Sequence, residues 1–269
     1  MEITESKINN INIEVLKPKE EFTPNTVLGY DFFPDPYGNV YICATKGRGK
    51  TMVIYNILKN TIDKRTKVVI FSSSVNKDNT YKEIVKHCEK KDIECITYNH
   101  FKENGINLVS EMIRELKKAR VDDKQKGVKV ETEQKLLTDE NDPRPKRKKK
   151  KKIVPEYLLI FDDLGNALRD KDVETLTKIN RHFKIRNLMS FHVKNDVLPG
   201  TTKQADYVLL FGGYPEKKLE ELHQQLVISV DFDTLLKLYK HATAEKYNFL
   251  YIDTKKNKYR KNFNTELHF

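Results

Sequence analysis

One glycine-rich stretch sets the fold of this chain: residues Ala44–Thr51, with the sequence ATKGRGKT. It follows the apolar run Val40–Cys43 and precedes a helical pattern at Met52–Leu58. A strand, a glycine turn, Lys-Thr and a helix in this order are typical of a phosphate-binding P-loop. Glycines let backbone N–H groups converge on phosphate oxygens, and the dipole of the following helix favours negative charge. The stretch therefore predicts a nucleotide site in an α/β fold.

The loop residues divide into expected roles. The phosphates of ATP are expected to contact Thr45, Lys46, Gly47, Arg48, Gly49, Lys50 and Thr51. Lys50 is expected to reach the β- and γ-phosphates, and the Thr51 hydroxyl to complete the coordination of Mg²⁺. The usual motif begins with glycine, whereas this chain has Ala44, which tolerates a positive φ less well. The alternative interpretation is a glycine turn that binds nothing.

Two carboxylates, Asp162 and Asp163, follow the apolar strand Tyr157–Phe161. In P-loop proteins an acid at the end of a neighbouring buried strand holds Mg²⁺, and an adjacent acid commonly polarises the attacking water. We therefore expect Asp162 to bind the metal and Asp163 to act as general base; a plain strand-ending turn is the alternative. The acids and the loop together indicate ATP hydrolysis. Lys194-Asn195-Asp196 differs in order and spacing from the base-reading motif of GTPases.

The composition is basic, with a net charge of +11. A balance of this kind favours a polyanionic partner, above all nucleic acid. Part of the excess is the unbroken basic run Lys146–Lys152. A nuclear-localisation signal, a contact to the DNA backbone and a solvated loop tip remain open for this run. The surrounding stretch at about 121–152 has no apolar period, and we expect it to be a disordered insertion.

Cysteine usage and hydropathy exclude several other classes. Cys43, Cys88 and Cys95 have no paired spacing suited to zinc, and they fit a reducing compartment. No apolar run approaches the length of a membrane span, and the first residues contain no signal-peptide core. We therefore expect a soluble, intracellular protein without a membrane partner.

Strand and helix patterns alternate along the chain, which predicts an α/β fold with a mostly parallel central sheet flanked by helices. Further strands are expected at Lys67–Phe71, Glu94–Tyr98, Asn187–His192 and Tyr207–Phe211. Further helices are expected at Asp78–Lys90, Asn107–Ala119, Asp170–Phe183, Pro215–Leu226 and Asp231–His241, and a turn at Leu198–Gly200. The chain ends in a predicted C-terminal β-hairpin formed by Tyr247–Ile252 and Lys258–Phe263.

The expected domain division is an N-terminal arm and covering loop at 1–37, followed by a P-loop ATPase domain at 38–269. The arm carries one candidate strand, Ile11–Leu16, and leads into the aromatic, proline-punctuated loop Asp31–Gly38. We expect this loop to cover an edge of the sheet. Stacking against the adenine base is the alternative.

Five short motifs follow one another between Gly38 and Gly213. They are Asp162-Asp163, Asn180-Arg181-His182, Ser190-Phe191-His192, Asp196-Val197-Leu198-Pro199 and Asp206-Tyr207. In this order they resemble the FtsK/HerA group of DNA-translocating ATPases. Within that group they are most similar to the genome-packaging ATPases of large DNA viruses, virophages and Polinton-like elements.

The resemblance implies roles for three further residues. His192 occupies the place of a polar sensor, often glutamine, that reports the γ-phosphate or orients the water; capping its strand is the alternative. Arg181 falls where the family supplies an arginine in trans to the neighbouring subunit's nucleotide, with Arg186 as a competitor and a surface charge as the alternative. Lys203 replaces an arginine of the family, which keeps the charge but loses the planar fork.

The resemblance also implies a function and its partners. The chain is expected to form a homo-oligomeric ring, a pentamer or hexamer, that uses ATP and Mg²⁺ to move double-stranded DNA into a viral capsid. A capsid or portal vertex protein is the implied docking partner, at an assembly site in the host cytoplasm or nucleus and transiently at the virion vertex. Two alternatives stay open: a helicase-like ATPase acting on single strands, which predicts stacking aromatic residues along a channel, and a nucleotide-dependent DNA-binding scaffold with weak hydrolysis.

Overall fold

The computed structural model describes residues 22–103, 105–125, 151–192 and 196–269. The candidate strand Ile11–Leu16, Lys194 and most of the predicted basic insertion lie outside the described residues. The start of that insertion was predicted wrongly, because residues 121–125 are helical. Of the basic run, Lys151 and Lys152 are described, and both are exposed. No helix among the described residues is long and apolar enough to cross a membrane.

The described residues contain one large sheet with the strand order β11-β10-β9-β8-β1-β7-β6-β2-β3. Its strands are β1 (Asn39–Cys43), β2 (Lys67–Ser72), β3 (Cys95–Tyr98), β6 (Tyr157–Asp162), β7 (Ile185–Phe191), β8 (Tyr207–Phe211), β9 (Phe249–Asp253), β10 (Lys258–Lys261) and β11 (Thr265–Leu267); β4 (Lys102–Glu103) and β5 (Ile106–Asn107) form a separate small hairpin. Neighbouring strands from β8 to β3 pair in parallel. The strands β9, β10 and β11 add to β8 in antiparallel fashion.

Helices cover both faces of the sheet. They are α1 (Lys50–Thr61), α2 (Asn79–Lys90), α3 (Leu108–Gln125), α4 (Lys171–Ile179), α5 (Pro199–Thr202), α6 (Glu216–Gln225) and α7 (Phe232–Ala242), with 3-10 turns at Gly165–Arg169 and Asn180–Phe183. Strand β1 shows the division, because successive side chains of a strand point to opposite faces. Val40 and Ile42 pack in the apolar cluster under α1 and α2, whereas Tyr41 and Cys43 pack in the cluster under α3, α4, α6 and α7.

The predicted fold class is confirmed: a mostly parallel sheet between helices, with an antiparallel C-terminal extension. The predicted hairpin gains a third strand, β11. The expected helix Asp170–Phe183 is α-helical only to Ile179 and then tightens into a 3-10 turn. The expected turn at Leu198–Gly200 instead opens the short helix α5, in which Pro199 takes a first-turn position that proline tolerates well.

The strand order brings four strand ends together. The carboxyl ends of β1, β7, β6 and β2 meet at one edge of the sheet, since these strands are parallel neighbours. One detail differs from expectation. The acid-bearing strand β6 is not the direct neighbour of β1, because β7 lies between them. The residues that follow β7 therefore join the P-loop and the acids at this edge.

Candidate active site

The P-loop lies between β1 and α1 with two glycines in left-handed conformations. Gly47 has a φ of 75° and Gly49 a φ of 86°. Gly49 is also the N-cap residue of α1, and no side chain caps this helix. The first N–H groups of α1 are consequently free of a side-chain acceptor and suit an anion such as a phosphate. Ala44 is buried and does not have a positive φ, so its replacement of glycine introduces no backbone strain.

Lys50 and Asp162 form the buried centre of the site. Lys50 Nζ lies 3.0 Å from Asp162 Oδ1, and the two side chains are 13% and 2% exposed. The Tyr81 hydroxyl of α2 donates to Asp162 Oδ2 at 2.6 Å. Burial and then the Asp162 carboxylate raise the pKa of Tyr81 well above its ordinary value, so the hydroxyl keeps its proton and remains a donor. One carboxylate oxygen is thus fixed by tyrosine, while the other faces the lysine.

Replacing Tyr81 with phenylalanine tests this anchoring, since the change removes only the hydroxyl. We expect the free energy of unfolding to fall by about 1.5–3 kcal/mol, because a buried carboxylate loses a hydrogen bond. Urea denaturation measures the change. Tyr55→Phe is the matched control: Tyr55 lies on α1, its ring contacts His87, and its hydroxyl makes no hydrogen bond with the described residues. Equal stabilities of the two variants would contradict the anchoring role.

Asp163 and His192 stand beside this pair. Asp163 adopts a left-handed φ of 55°, its backbone carbonyl accepts a hydrogen bond from Ser73 Oγ at 2.7 Å, and its side chain is half exposed. A non-glycine residue in this region stores strain, which often occurs at functional sites. His192 follows β7, with Nδ1 2.5 Å from the Ala44 carbonyl and Nε2 3.8 Å from Asp163 Oδ1. Because a carbonyl only accepts, Nδ1 carries the hydrogen, and the ring connects the P-loop to the second acid.

One cavity of about 440 Å³ collects these residues. It is lined by all seven predicted loop residues from Thr45 to Thr51 and by Asp162, Asp163 and His192. The sequence interpretation missed Met52, Ser74, Asp78 and Thr80, which also line it. Ser74 and Asp78 follow β2, so the end of a further parallel strand was the signal that could have identified them. A second cavity of about 520 Å³ adjoins at Asp163 and carries the basic residues His100, Lys102 and Arg169.

Arg181 does not belong to this cavity. Its guanidinium donates to Asp206 at 2.6 Å and to Asp35 at 3.2 Å, and Lys255 pairs with the same two acids. Asp206 also accepts from the backbone N–H of Asn39, the first residue of β1. The network therefore lies at the amino edge of the sheet, roughly 15 Å along β1 from the P-loop. The Arg181 side chain is 41% exposed, and its action in trans stays a prediction.

The other residues that the sequence offered for this site, Arg186, Phe33 and Lys203, do not line the cavity. Arg186 is fully buried with its guanidinium 5.1 Å from the centroid of the Phe33 ring, and burial lowers the pKa of Arg186 to about 10. A side chain in this position cannot reach another subunit. Phe33 itself is fully buried, so its ring is not available to a nucleotide base. The ring of Phe32 packs against Phe263. Lys203 is exposed directly after α5.

Comparison with known families bears on this site. The model of the family described as type III restriction enzyme, res subunit, matches residues 8–191. The chain belongs to this family. None of the curated proteins shows significant sequence similarity to it.

The solved structures with a similar fold include viral packaging enzymes. B204, the DNA-packaging ATPase of Sulfolobus turreted icosahedral virus, is 15% identical with a TM-score of 0.51, over 84% of this chain and 97% of B204. The genome-packaging NTPase B204 of Sulfolobus turreted icosahedral virus 2 in complex with AMP is 13% identical with a TM-score of 0.49, over 84% and 96%. Its complex with AMPPCP is 14% identical with a TM-score of 0.49, over 84% and 97%. The predicted resemblance to packaging ATPases is confirmed at the level of the fold.

The family, the fold and the cavity agree on the chemistry. This member of the restriction-subunit family is a P-loop ATP hydrolase, as the loop and the two acids predicted. Nucleotide binding follows from the same loop.

Proposed function

We propose that the chain is an ATP-driven translocase of double-stranded DNA that packages a viral genome into a capsid. The observation that carries the proposal is the cavity in which Lys50, Asp162 and Asp163 face the P-loop. The net charge of +11 suits contacts with the DNA backbone, which need no base readout. B204, which shares the fold, is described as a DNA-packaging ATPase. The chain would act at a virus assembly site inside the host cell.

The donor set of the cavity fits Mg²⁺. The ion prefers oxygen ligands, and it would be held by the Thr51 hydroxyl and the Asp162 carboxylate. Asp162 Oδ1 is buried and accepts no hydrogen bond from the described residues, although Lys50 lies nearby, so this oxygen retains a lone pair for a metal. When bound there, the ion would neutralise negative charge that develops on the phosphate oxygens during hydrolysis.

Different side chains bind the phosphates, accept the proton and orient the attacking water. The N–H groups of the P-loop and the Lys50 ammonium bind the phosphate oxygens. The Asp163 carboxylate is exposed to the cavity and accepts a proton from the attacking water. The imidazole of His192 is fixed to the Ala44 carbonyl through Nδ1–H. Nε2 therefore accepts a hydrogen bond from that water when the ring is neutral, and it donates one to the γ-phosphate when the ring is protonated.

His192 variants test the sensor role. We expect His192→Ala to lower kcat by about tenfold, the value of one well-placed hydrogen bond. His192→Gln should retain more of the activity, because its amide can still donate and accept. Steady-state ATP hydrolysis with Mg²⁺ measures both. If alanine and glutamine give the wild-type kcat, His192 only caps its strand.

Arg181 remains our candidate for the arginine supplied in trans within a homo-oligomeric ring. Mixing Arg181→Ala chains with Lys50→Ala chains creates interfaces where an intact pocket meets an intact arginine. We expect the mixture to hydrolyse ATP several times faster than either variant alone. Lys255→Ala is the control for the ion-pair network, since Lys255 contacts the same acids, and it should keep the activity. Absence of recovery in the mixture would contradict the role.

The experiment that tests the whole proposal separates translocation from unwinding. A translocase on duplex DNA displaces a triplex-forming oligonucleotide in an ATP-dependent manner and leaves the two strands of the duplex paired. The family match favours a helicase-like ATPase as the second candidate, which would separate the strands instead. Among the described residues the exposed large aromatic side chains are Tyr247 and Phe269, so these residues contain no stacking series for a single strand. Strand separation, or nucleotide binding without turnover, would overturn the proposal in favour of the helicase or the scaffold.

The partners follow from the same proposal. We expect a ring, a pentamer or hexamer, around the duplex and a capsid or portal vertex protein as its dock. Electron microscopy of the chain with duplex DNA and a non-hydrolysable ATP analogue tests the ring.

A further inference from the structure

A strained tyrosine stands next to the P-loop, on the side away from the acids. Tyr247 has a positive φ of 72° although it is not glycine, and 56% of it is exposed. A Cβ atom added to Gly49 would lie 3.3 Å from Tyr247 Cδ1, so the ring covers the N-cap of α1. The Lys246 ammonium lies 4.8 Å from the ring centroid and covers one face. The other face of an exposed aromatic ring is thus held beside the phosphate loop.

The sheet topology decides which end of a nucleotide meets this ring. Strands β7 and β6 end on one side of β1, and there His192, Asp162 and Asp163 mark the place of the reacting γ-phosphate. Strand β8 ends and β9 begins on the other side of β1, and Tyr247 lies two residues before the first residue of β9. With its γ-phosphate at the acids, as the proposed function requires, a triphosphate laid along the P-loop would place its base toward the β8 and β9 side.

Hydrogen bonds hold the strained turn in place. Asn248 Nδ2 donates to the Glu245 carboxylate at 2.8 Å, and Asn262 Nδ2 donates to Asn248 Oδ1 at 2.9 Å. Asn262 Oδ1 also accepts from the backbone N–H of Phe249 at 3.1 Å. The two residues that follow Tyr247, Asn248 and Phe249, are therefore fixed, and Asn248 is tied back to Glu245. A left-handed tyrosine persists only where the surrounding structure over-determines it, which marks the residue as a candidate for function.

A second exposed apolar side chain lies at the N-terminal end of α1. Met52, in the first turn of α1, is 52% exposed and lines the nucleotide cavity. The first turn of α1 thus carries an exposed thioether and is touched at its N-cap by the exposed ring. A flat heterocycle is the ligand that gains from such surfaces, since base–aromatic stacking is strong and independent of base identity.

We propose that Tyr247 stacks on the base of the bound nucleotide and so supplies the base-binding subsite of this ATPase. The proposal rests on the ATPase function and deepens it. Stacking depends on the flat π-face of the base and not on its hydrogen-bonding groups, so ATP and GTP should bind with similar affinity. Phe33 of the Asp31–Gly38 loop does not provide this subsite, because its side chain is fully buried.

Equilibrium binding of Mg·ATP, Mg·GTP and Mg·tripolyphosphate tests the proposal, since tripolyphosphate lacks the base. We expect Tyr247→Ala to weaken both nucleotides by about tenfold or more and to leave tripolyphosphate binding unchanged. Tyr247→Phe keeps the ring and should retain the ATP affinity. Tyr30→Ala is the matched control, because Tyr30 also lies under a lysine, Lys256, yet is remote from the P-loop.

The possible outcomes distinguish failure of the stacking role from failure of the ATPase function. Wild-type ATP affinity in Tyr247→Ala, or equal losses for ATP and tripolyphosphate, overturns the stacking role while the ATPase function stands. A wild-type chain that binds neither ATP nor tripolyphosphate overturns the ATPase function itself. A large preference for ATP over GTP in the wild type also contradicts the subsite, since stacking alone does not supply it. Denaturation midpoints of the variants show whether an observed loss reflects unfolding.

Discussion

Lys50→Ala should reduce ATP turnover to below about a thousandth of the wild-type rate. Lys50 is the P-loop cation that pairs with Asp162, and its side chain is only 13% exposed, so solvent offers no replacement for its ammonium. The same change leaves the Asp162 carboxylate buried without its cation, which should lower the free energy of unfolding by about 3 kcal/mol or more. Steady-state phosphate release and urea denaturation measure the two effects on the same preparation.

Two variants control for this result. Lys50→Arg keeps the charge near Asp162 and should restore much of the stability, whereas turnover stays low because the planar guanidinium does not fit a point-charge site. Lys59→Ala removes an exposed lysine from the last turn of the same helix and should leave both quantities unchanged. Wild-type turnover in Lys50→Ala would show that the glycine turn binds no nucleotide.

Asp163→Asn should lower the hydrolysis rate by about 10²–10⁴-fold while nucleotide binding persists, because an amide cannot accept the proton of the attacking water. Asparagine is the suitable replacement, since Asp163 has a φ of 55° and asparagine tolerates the left-handed region. Single-turnover hydrolysis and binding of a fluorescent ATP analogue separate the two steps. Asp92→Asn is the matched control, because Asp92 has a similar φ of 56° and is exposed in the turn that follows α2. An unchanged rate of hydrolysis in Asp163→Asn would show that Asp163 is not the general base.

The sequence was sufficient for the parallel core of the fold, because there local and global signals agree. The apolar runs of β1, β2, β6 and β8 are buried throughout or nearly so, as strands covered by helices on both faces must be. The helices predicted from Asp78, Asp170 and Asp231 begin one residue later as α2, α4 and α7, because each of these aspartates is the N-cap of its helix. The β4–β5 hairpin was not predicted, because strands of two residues leave no periodicity to read.

The site was predictable where the chemistry is local and not where it depends on strand order. The P-loop and the acids carry motifs, and they do line one cavity. The insertion of β7 between β1 and β6 has no signature in the sequence, and neither does the hydrogen bond from Tyr81 to Asp162. Tyr247 was interpreted only as part of a hairpin strand, since its positive φ and its contact with Gly49 arise from a turn that residues far along the chain hold in place.

The rate of ATP hydrolysis by the purified chain with Mg²⁺, measured with and without linear duplex DNA, decides whether this cavity drives a DNA motor. We expect turnover that rises when duplex is added and that is lost in both Lys50→Ala and Asp163→Asn. Tight ATP binding without turnover, or turnover that duplex DNA leaves unchanged, would contradict the account.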